Sequence, residues 1–283
     1  MELLSVSNLN LSVGTEAKIL NSSFTVESGD VLLLTGPNGC GKSTIIKLIM
    51  GATFDYKDIE CSDGTILYKS VHDILHDEKE NEAFRRDVCY ISQEDEFESD
   101  SVLDCFVNSI SRRNITNPEK YVFDFIIKHH IADCFGLDCA NIRIDRKCKR
   151  LFQKLKLTQE ARTDDVLKTV KYMTMSTKQL SGGQKKLTNI FSNLIRCEFC
   201  NLVILDEPIN NLDYSNVRSF SNVLTRIYRS RQDIAMIVVT HCRSIPIINK
   251  VVEIDPVNKS FVERDTYICS SCFGVVNDEG MFV

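Results

Sequence analysis

The sequence predicts an α/β fold in which parallel strands alternate with helices. Short apolar runs at 31–34, 88–91, 202–205 and 236–239 have the length of strands, and helical patterns lie between several of them. This alternation is typical of a parallel sheet covered by helices. The runs at 202–205 and 236–239 contain no polar alternation, so we expect both strands to be buried on both faces of the sheet.

Three helices are predicted from apolar residues at helical spacing. The first follows the strand at 31–34 directly, and the other two lie close to the strand at 202–205, one on each side. In each helix the apolar side chains fall on one face, as expected for a helix that packs against a sheet or another helix. The apolar positions are Ile45, Ile46, Leu48 and Ile49, then Leu187, Ile190, Phe191, Leu194 and Ile195, and finally Val217, Phe220, Leu224 and Ile227.

Composition is that of an ordinary folded protein. The chain has 283 residues, of which 43% are hydrophobic and 26% charged, and its formal net charge is −5. These values exclude a mostly disordered chain, and the mild acidity gives no reason to expect nucleic acid as a partner. The first basic residue is Lys18 and no apolar stretch approaches the roughly 20 residues of a membrane span. We therefore expect a cytoplasmic protein whose cysteines are reduced.

The middle of the chain, from about residue 94 to 179, is predicted to be a helical subdomain inserted into the α/β core. It is poor in strand patterns and carries an acidic run at 94–100 and a basic run at 143–156. The basic run could contact nucleic acid and the acidic run a basic partner. We favour the simpler interpretation that both runs are solvated surfaces.

A phosphate-binding loop is predicted between the first strand and the first helix, where residues 36–43 match the pattern G-x-x-x-x-G-K-[ST]. Glycines let backbone N–H groups surround phosphate oxygens, and the start of the helix adds positive partial charge. Lys42 is expected to bind the β- and γ-phosphates, and Ser43 to supply an oxygen ligand to Mg²⁺. The predicted nucleotide-binding residues are Gly36, Pro37, Asn38, Gly39, Cys40, Gly41, Lys42, Ser43 and Thr44.

Two adjacent carboxylates end the apolar run at 202–205. Such a strand presents its acidic residues at the carboxyl edge of the sheet, where open α/β folds bind their ligands. Asp206 is expected to hold Mg²⁺, directly or through water. Glu207 is suited to orient and deprotonate a water molecule that attacks the γ-phosphate.

A second glycine-rich turn precedes the helical pattern that begins near residue 185. It reads Leu180-Ser181-Gly182-Gly183-Gln184, which offers a hydroxyl and unobstructed N–H groups at a helix start. A plain capping loop would have the same composition. Together with the phosphate-binding loop, however, this LSGGQ segment closely resembles the signature of the ABC (ATP-binding cassette) ATPases.

The resemblance extends over residues 3 to 263 and includes further motifs in the family's order. Gln93, after the strand at 88–91, resembles the Q-loop glutamine, Asp213 the D-loop aspartate and His241 the switch histidine. The resemblance implies a P-loop NTPase core with an N-terminal antiparallel β portion and an inserted helical subdomain. It also implies Mg²⁺-dependent ATP hydrolysis.

The same resemblance implies a composite site between two cassettes paired head to tail, either as a homodimer or with a paralogue. The signature residues Ser181, Gly182, Gly183 and Gln184 would meet the nucleotide of the partner cassette, with Ser181 and Gly183 at its γ-phosphate. Asp213 would link the two sites. Gln93 would sense Mg²⁺ and the attacking water, and His241 would bind the γ-phosphate, which makes both of them catalytic residues beside Glu207.

The expected role is that of the ATPase subunit of a transporter, held at the inner face of the membrane by a separate membrane-spanning chain. A soluble cassette that acts on a macromolecule, as in iron–sulfur assembly or at the ribosome, is the alternative. Lys185 and Lys186 after the signature resemble the iron–sulfur type, whereas the run at 208–213 is similar to tandem-cassette translation factors. Where cassettes usually place an aromatic residue that stacks on adenine, this chain has Val13.

The predicted domain organisation has an ATPase core at 1–93 and 180–263, the helical subdomain at 94–179 and a cysteine-containing tail at 264–283. The tail contains Cys269 and Cys272, which have the same Cys-x-x-Cys spacing as Cys197 and Cys200. Four such thiols could hold a structural zinc ion. Because the two pairs are far apart in sequence, ordinary reduced thiols are the favoured interpretation.

Overall fold

A six-stranded sheet carries the predicted phosphate-binding loop. In the computed structural model, which describes residues 1–51, 58–92, 99–159, 161–240 and 245–264, its strands lie in the order β10-β9-β3-β8-β7-β6. Neighbouring strands are parallel except for the antiparallel edge pair β9 and β10. The strands are β3 (Val31–Thr35), β6 (Val88–Ile91), β7 (Leu202–Asp206), β8 (Ala235–Val239), β9 (Lys250–Asp255) and β10 (Ser260–Arg264).

All four strands predicted from apolar runs are present in this sheet. Every residue of β3, β7 and β8 is buried, which explains why their sequences lack polar alternation. Helix α1 (Lys42–Ile49) follows β3 and directs Ile45, Ile46, Leu48 and Ile49 into the core, as predicted. The loop between β3 and α1 therefore starts and ends in rigid, buried elements.

A second, antiparallel sheet is formed mainly by the N-terminal part of the chain, which confirms the expected antiparallel β portion. Its strands lie in the order β2-β1-β4-β5, with long pairings of β1 with β2 and with β4. The strands are β1 (Glu2–Val13), β2 (Glu16–Glu27), β4 (Ile59–Tyr68) and β5 (His72–Asp73). Helix α2 (Glu78–Asp87) leads from this region into β6. Apolar side chains of both sheets belong to one buried cluster.

The middle of the chain is helical, as predicted. Its described residues contain no regular strand, only an isolated bridge between Ser101 and Ser176. Four short 3-10 turns occur between or after the helices, at Ile131–Phe135, Cys139–Asn141, Thr177–Gln179 and Ile195–Phe199. Its helices are α3 (Val102–Ser109), α4 (Pro118–Lys128), α5 (Arg146–Lys154) and α6 (Asp164–Thr174); α7 (Gly182–Leu194) follows this region and α8 (Tyr214–Ser230) follows β7.

Backbone contacts divide the chain differently from the predicted segments. One unit comprises Met1–Gln93, Phe199–Asn210 and Tyr228–Val283, and the other Glu94–Glu198 and Asn211–Ile227. The helical unit thus includes α7 and most of α8, which the sequence interpretation assigned to the ATPase core. The physical reason is that α7 packs against α3 of the inserted region, and the buried Tyr172 hydroxyl of α6 lies 3.0 Å from Thr188 of α7.

Helix α5 carries the basic run that the sequence singled out. It buries Cys148, Leu151 and Phe152, while Lys154 pairs with Glu119 at 2.7 Å on the surface. This arrangement fits the interpretation of the run as a solvated helix face. Among the described helices, none combines the length and the apolar composition that crossing a bilayer requires.

Candidate nucleotide-binding site

Three glycines give the loop between β3 and α1 its shape. Gly36, Gly39 and Gly41 have φ angles of 146°, 77° and 108°, values that side chains with a Cβ atom rarely adopt. At Gly36 a Cβ atom would also lie 2.9 Å from Cys40 Sγ and 3.0 Å from the carbonyl oxygen of Ile254. Glycine is thus required both by the backbone conformation and by the space available.

Helix α1 starts at this loop without a capping side chain. Its N-cap is Gly41, no side chain there accepts a hydrogen bond from the first turn, and that turn contains no acidic residue. The N–H groups of the first turn have no partner within the helix. They remain available, together with the positive end of the helix dipole, to bind an anion.

Lys42 occupies the inner side of the same loop and is only 6% exposed. Its ammonium group donates hydrogen bonds to the carbonyl oxygens of Gly36, at 2.9 Å, and Pro37, at 3.0 Å. A buried ammonium ion needs such oxygen partners. The lysine is therefore held within the loop at the point where the sequence predicts phosphate binding.

Ser43 and Asp206 meet at the carboxyl edge of the sheet, where the sequence places the Asp206 carboxylate. The Ser43 hydroxyl donates to Asp206 Oδ1 at 3.1 Å, and Asp206 is 4% exposed. Burial raises the pKa of the Asp206 carboxyl above its ordinary value, while the Ser43 hydrogen bond and the charges of Lys47 and Lys42 act in the opposite direction. A buried carboxylate and a hydroxyl side by side are a donor set that fits a hard cation such as Mg²⁺.

Glu207 follows Asp206 with an unusual backbone. Its φ angle is 49°, in the left-handed region that is uncommon for residues other than glycine. The Glu207 N–H donates to the carbonyl oxygen of Val239 at 2.9 Å, which ties the residue to the end of β8. The chain therefore turns sharply after β7 while Glu207 stays at the sheet edge beside Asp206.

The signature turn forms the start of α7 and is capped by its own side chains. The Ser181 hydroxyl accepts from the Gln184 N–H at 3.3 Å, and Gln184 Oε1 accepts from the Ser181 N–H at 3.1 Å. This reciprocal pair is a capping box. Ser181 and Gly182 are exposed, and nothing lies within 4 Å of a Cβ atom built on Gly182.

Asp213 caps the start of α8 and is connected to the signature turn through Asn216. Its two carboxylate oxygens accept from the Asn216 N–H at 2.9 Å and from the Asn216 side-chain amide at 2.8 Å. The same amide lies so close to Gly183 that a Cβ atom there would collide with it. Sequence reasoning missed Asn216, although Asp-x-x-Asn at a helix start is a recognisable capping pattern.

Two of the predicted catalytic residues, Gln93 and His241, lie outside the described residues, as do Cys269 and Cys272. Thr240, the described residue before His241, is buried. Cys197 and Cys200 are buried, and Cys40 is partly buried. Within the described part of the chain, the cluster suited to a metal ion outside the predicted site is His130, Asp133 and Asp165, where Lys168 already pairs with Asp133 at 2.9 Å. That cluster contains no cysteine.

These features define an ATP-binding cassette. The sequence model of the ABC transporter family matches residues 19–210, more than half of the chain. The chain therefore belongs to this family, and it is an ATP-binding and ATP-hydrolysing cassette. The predictions of the family, the α/β P-loop fold and the ATPase activity are confirmed.

Several known proteins are similar over nearly the whole chain. The probable iron export ATP-binding protein FetA of Escherichia coli is 27% identical over 258 residues, which cover 90% of this chain and 92% of FetA. The zinc uptake system ATP-binding protein ZurA of Listeria innocua is 29% identical over 244 residues, covering 85% of this chain and 77% of ZurA.

Solved structures show the same fold at lower sequence identity. CbiO1 of Clostridium perfringens, part of the CbiONQ transporter complex, has a TM-score of 0.64 at 19% identity and covers 94% of this chain and 88% of its own. The dimeric cassette MJ0796, bound to ADP and phosphate, has a TM-score of 0.63 at 16% identity. The match covers 94% of this chain and 99% of the MJ0796 chain.

Proposed function

We propose that this chain is the ATP-hydrolysing subunit of a transporter and works paired head to tail with a second cassette. The observation that carries the catalytic part is the contact between Ser43 and the buried Asp206, formed where helix α1 begins without a side-chain cap. A hydroxyl, a carboxylate and open backbone N–H groups then serve one Mg²⁺–nucleotide unit.

The loop residues 36–44 would surround the phosphates. The N–H groups at the start of α1 bind phosphate oxygens, and the Lys42 ammonium exchanges its bonds to the Gly36 and Pro37 carbonyl oxygens for bonds to the β- and γ-phosphates. The ammonium ion is already desolvated, so its attraction to phosphate is stronger than it would be in bulk water.

Ser43 and Asp206 would hold Mg²⁺, with Gln93 as a further ligand or sensor. Mg²⁺ supplies charge neutralisation of the phosphate oxygens when bound. Its positive charge also offsets the cost of keeping the Asp206 carboxylate ionised in a buried position.

Glu207 would act as the general base. Its hydrogen bond to the Val239 carbonyl oxygen, which ties it to the sheet edge next to Asp206, supports this role. The carboxylate accepts a proton from water as the water oxygen bonds to the γ-phosphorus, and the bond from that phosphorus to the β,γ-bridging oxygen breaks, giving ADP and phosphate. His241 would bind the γ-phosphate during this step.

The signature residues Ser181, Gly182, Gly183 and Gln184 would complete the site of a partner cassette, and Asp213 would link the two sites. Exposure of Ser181 and Gly182 on the surface supports this assignment. So does the dimeric state of the structurally similar MJ0796.

The transporter role is supported by FetA and ZurA, whose names describe iron export and zinc uptake. A separate membrane-spanning chain would then hold this cassette at the inner face of the membrane. Purifying the native protein in detergent tests this role directly. A co-purifying membrane-spanning chain supports it, and a soluble macromolecule in its place supports the alternative role in iron–sulfur assembly or at the ribosome.

Glu207→Gln tests the catalytic assignment, since the amide keeps the shape of the side chain but removes the base. We expect ATP hydrolysis to fall by about 10²- to 10⁴-fold, ATP binding to persist, and an ATP-bound dimer to accumulate in size-exclusion chromatography. If purification of the native protein yields a dimer of two different cassette chains, the second cassette is a paralogue.

The control is Lys42→Ala, which should lose phosphate affinity and form no dimer. Its melting temperature shows whether the variant is folded, because Lys42 also binds carbonyl groups of the loop. Hydrolysis close to the wild-type rate in the Glu207 variant would remove this residue from the role of base.

A further inference from the structure

Lys18, near the start of β2, packs against the phosphate-binding loop. A Cβ atom built on Gly41 would lie 3.2 Å from Lys18 Cβ and 3.8 Å from its Cγ. The aliphatic part of the lysine thus lies against the residue at which α1 begins. Sequence reasoning did not assign Lys18 any role, because the contact joins two segments that are distant in the chain.

The Lys18 ammonium group reaches the same loop. It donates to the carbonyl oxygen of Gly39 at 3.3 Å, and it pairs with Glu16 at 2.7 Å. Lys42 binds the carbonyl oxygens of Gly36 and Pro37 from the inner side of the loop. Two ammonium groups therefore bind three carbonyl oxygens of one short loop.

The charges around the loop favour a polyphosphate. The loop sequence at 36–44 contains Lys42 and no acidic residue, so Lys18 adds a second positive charge beside it. The Lys18 side chain is 18% exposed, whereas Glu16 is 66% exposed, and an exposed carboxylate is well screened by water. The hydrogen bond and charge of Lys18 lower the pKa of Glu16, so Glu16 is ionised at neutral pH and opposes the attraction of phosphate.

We propose that Lys18 is a second cationic determinant of nucleotide affinity, acting on the polyphosphate part of the nucleotide and not on its base. It holds the Gly39 carbonyl group, which fixes the peptide between Gly39 and Cys40, and its charge adds to that of Lys42. The inference rests on the proposed phosphate site. It identifies the ligand class as an oligophosphate chain, whichever nucleobase is attached.

The test compares Lys18→Met, which keeps the aliphatic stem, with Lys18→Arg, which keeps the charge. Dissociation constants are measured for ATP, GTP and inorganic tripolyphosphate, the last by competition with a fluorescent nucleotide. We expect Lys18→Met to weaken all three by a similar factor of about five to ten. We expect Lys18→Arg to stay within about twofold of the wild type.

Lys259→Met is the matched control. Lys259 lies at the turn between β9 and β10, close enough to Glu16 to lower the pKa of that carboxyl. Lys259→Met and Lys18→Met change the net charge of the protein by the same amount. Its effect on the three dissociation constants should be below about twofold. An equal loss in both methionine variants would overturn the proposal, since general surface charge would then explain the result.

Glu16→Gln should change nucleotide affinity in the opposite direction. Misfolding would not explain such a gain in affinity, because the Glu16 side chain is exposed. Removing its charge leaves Lys18 without a competing carboxylate, so ATP and tripolyphosphate should bind about two- to threefold more tightly. Unchanged or weaker binding would overturn the proposal. So would a Lys18→Met variant that loses ATP affinity and keeps tripolyphosphate affinity, which would place the contact at the base or ribose.

Failure of this inference can be distinguished from failure of the proposed site. If Lys42→Ala abolishes nucleotide binding while Lys18→Met binds like the wild type, the phosphate site stands and only the role of Lys18 is refuted. If Lys42→Ala also binds normally, the phosphate site itself is wrong.

Discussion

The two glycine-rich turns of this chain both precede a helix, yet they satisfy their backbone in different ways. At the start of α1, Gly41 is left-handed and provides no side-chain cap. At the start of α7, Ser181 and Gln184 form a reciprocal capping box. Gly41 is buried, and Gly182 is exposed. The same kind of sequence thus builds one helix start without a side-chain cap and one with a reciprocal side-chain cap.

This difference explains how the two turns can serve one reaction in different ways. Open N–H groups at a buried helix start favour an anion that enters and replaces water. A capped helix start is stable by itself, so the signature turn holds its shape whether or not a nucleotide is present. In the proposed pairing, it would meet the nucleotide of a partner cassette as a preformed surface.

Replacement of a glycine by alanine should show the largest difference between the two turns in stability and ATP affinity. Gly41→Ala forces a Cβ atom into a left-handed residue that already contacts Lys18, so we expect about 1–3 kcal/mol of destabilisation. A misplaced loop should also weaken ATP binding by about 10- to 100-fold. Gly182→Ala has free space around it, and its stability should change by less than about 1 kcal/mol.

Thermal unfolding and ATP titration of both variants at protein concentrations that keep the cassette monomeric provide the measurement. Gly39→Ala is a further control for conformation alone, because Gly39 is left-handed but a Cβ atom at this position would have nothing within 4 Å. Equal losses of ATP affinity in Gly41→Ala and Gly182→Ala would contradict the difference drawn between the two turns.

Removing a carboxylate should change stability in opposite directions at the sheet edge and in the signature region. Burial raises the folded-state pKa of Asp206, so its protonated form stabilises the fold below the unfolded pKa near 4. That contribution is lost as the pH rises through the folded pKa. At neutral pH, Asp206→Asn should therefore increase the free energy of unfolding by about 0.5–2 kcal/mol while abolishing ATP hydrolysis.

Denaturant unfolding at pH 4 and pH 7 measures this effect, and the gain should be smaller at pH 4. Asp213→Asn is the comparison in the signature region, where an exposed carboxylate accepts two hydrogen bonds from Asn216. That substitution removes a favourable acceptor, so it should lower stability at neutral pH. An Asp206→Asn variant less stable than the wild type at pH 7 would show that the carboxylate is compensated in the fold.

Removing the capping box should affect stability more than nucleotide affinity. Ser181→Ala deletes the N-cap acceptor of α7, and such a loss costs about 1 kcal/mol. Ser181→Asn retains a capping oxygen and should recover most of that stability. Binding of ATP to the monomer should be unchanged in both variants. A drop in monomer affinity on Ser181→Ala would mean that the signature turn contributes to the nucleotide site of its own chain.

The sequence was sufficient for the strands and for the phosphate loop because each depends on local pattern. The residues of β3, β7 and β8 are all apolar until the sheet edge, and the loop glycines occur at fixed intervals. Contacts between distant segments could not be predicted in this way. The pairing of Lys18 with the Gly39 carbonyl oxygen and the packing of α7 on α3 both depend on tertiary structure.

The smallest expected effect concerns selectivity for the nucleobase. The described residues provide fewer candidate contacts to the base than to the phosphates. Val13 stands where the family resemblance places a stacking ring, and it lies at the end of β1. Tyr68 is buried at 4% exposure and donates its hydroxyl to Asp87 at 2.7 Å. Tyr68 is therefore committed to the core and cannot stack on a base.

We therefore expect GTP to be hydrolysed with a kcat/KM within about tenfold of that for ATP, a difference below about 1.4 kcal/mol. Stacking on a ring contributes roughly 1–3 kcal/mol per base, but it is tolerant of base identity because every base has a π-face. In the proposed site, Lys18 and Lys42 would act on phosphate, which the two nucleotides share. Lys18→Met should lower both kcat/KM values and leave their ratio unchanged. A preference for ATP of about a hundredfold would require hydrogen bonds to the base edge, supplied by residues outside the described part of the chain or by a partner.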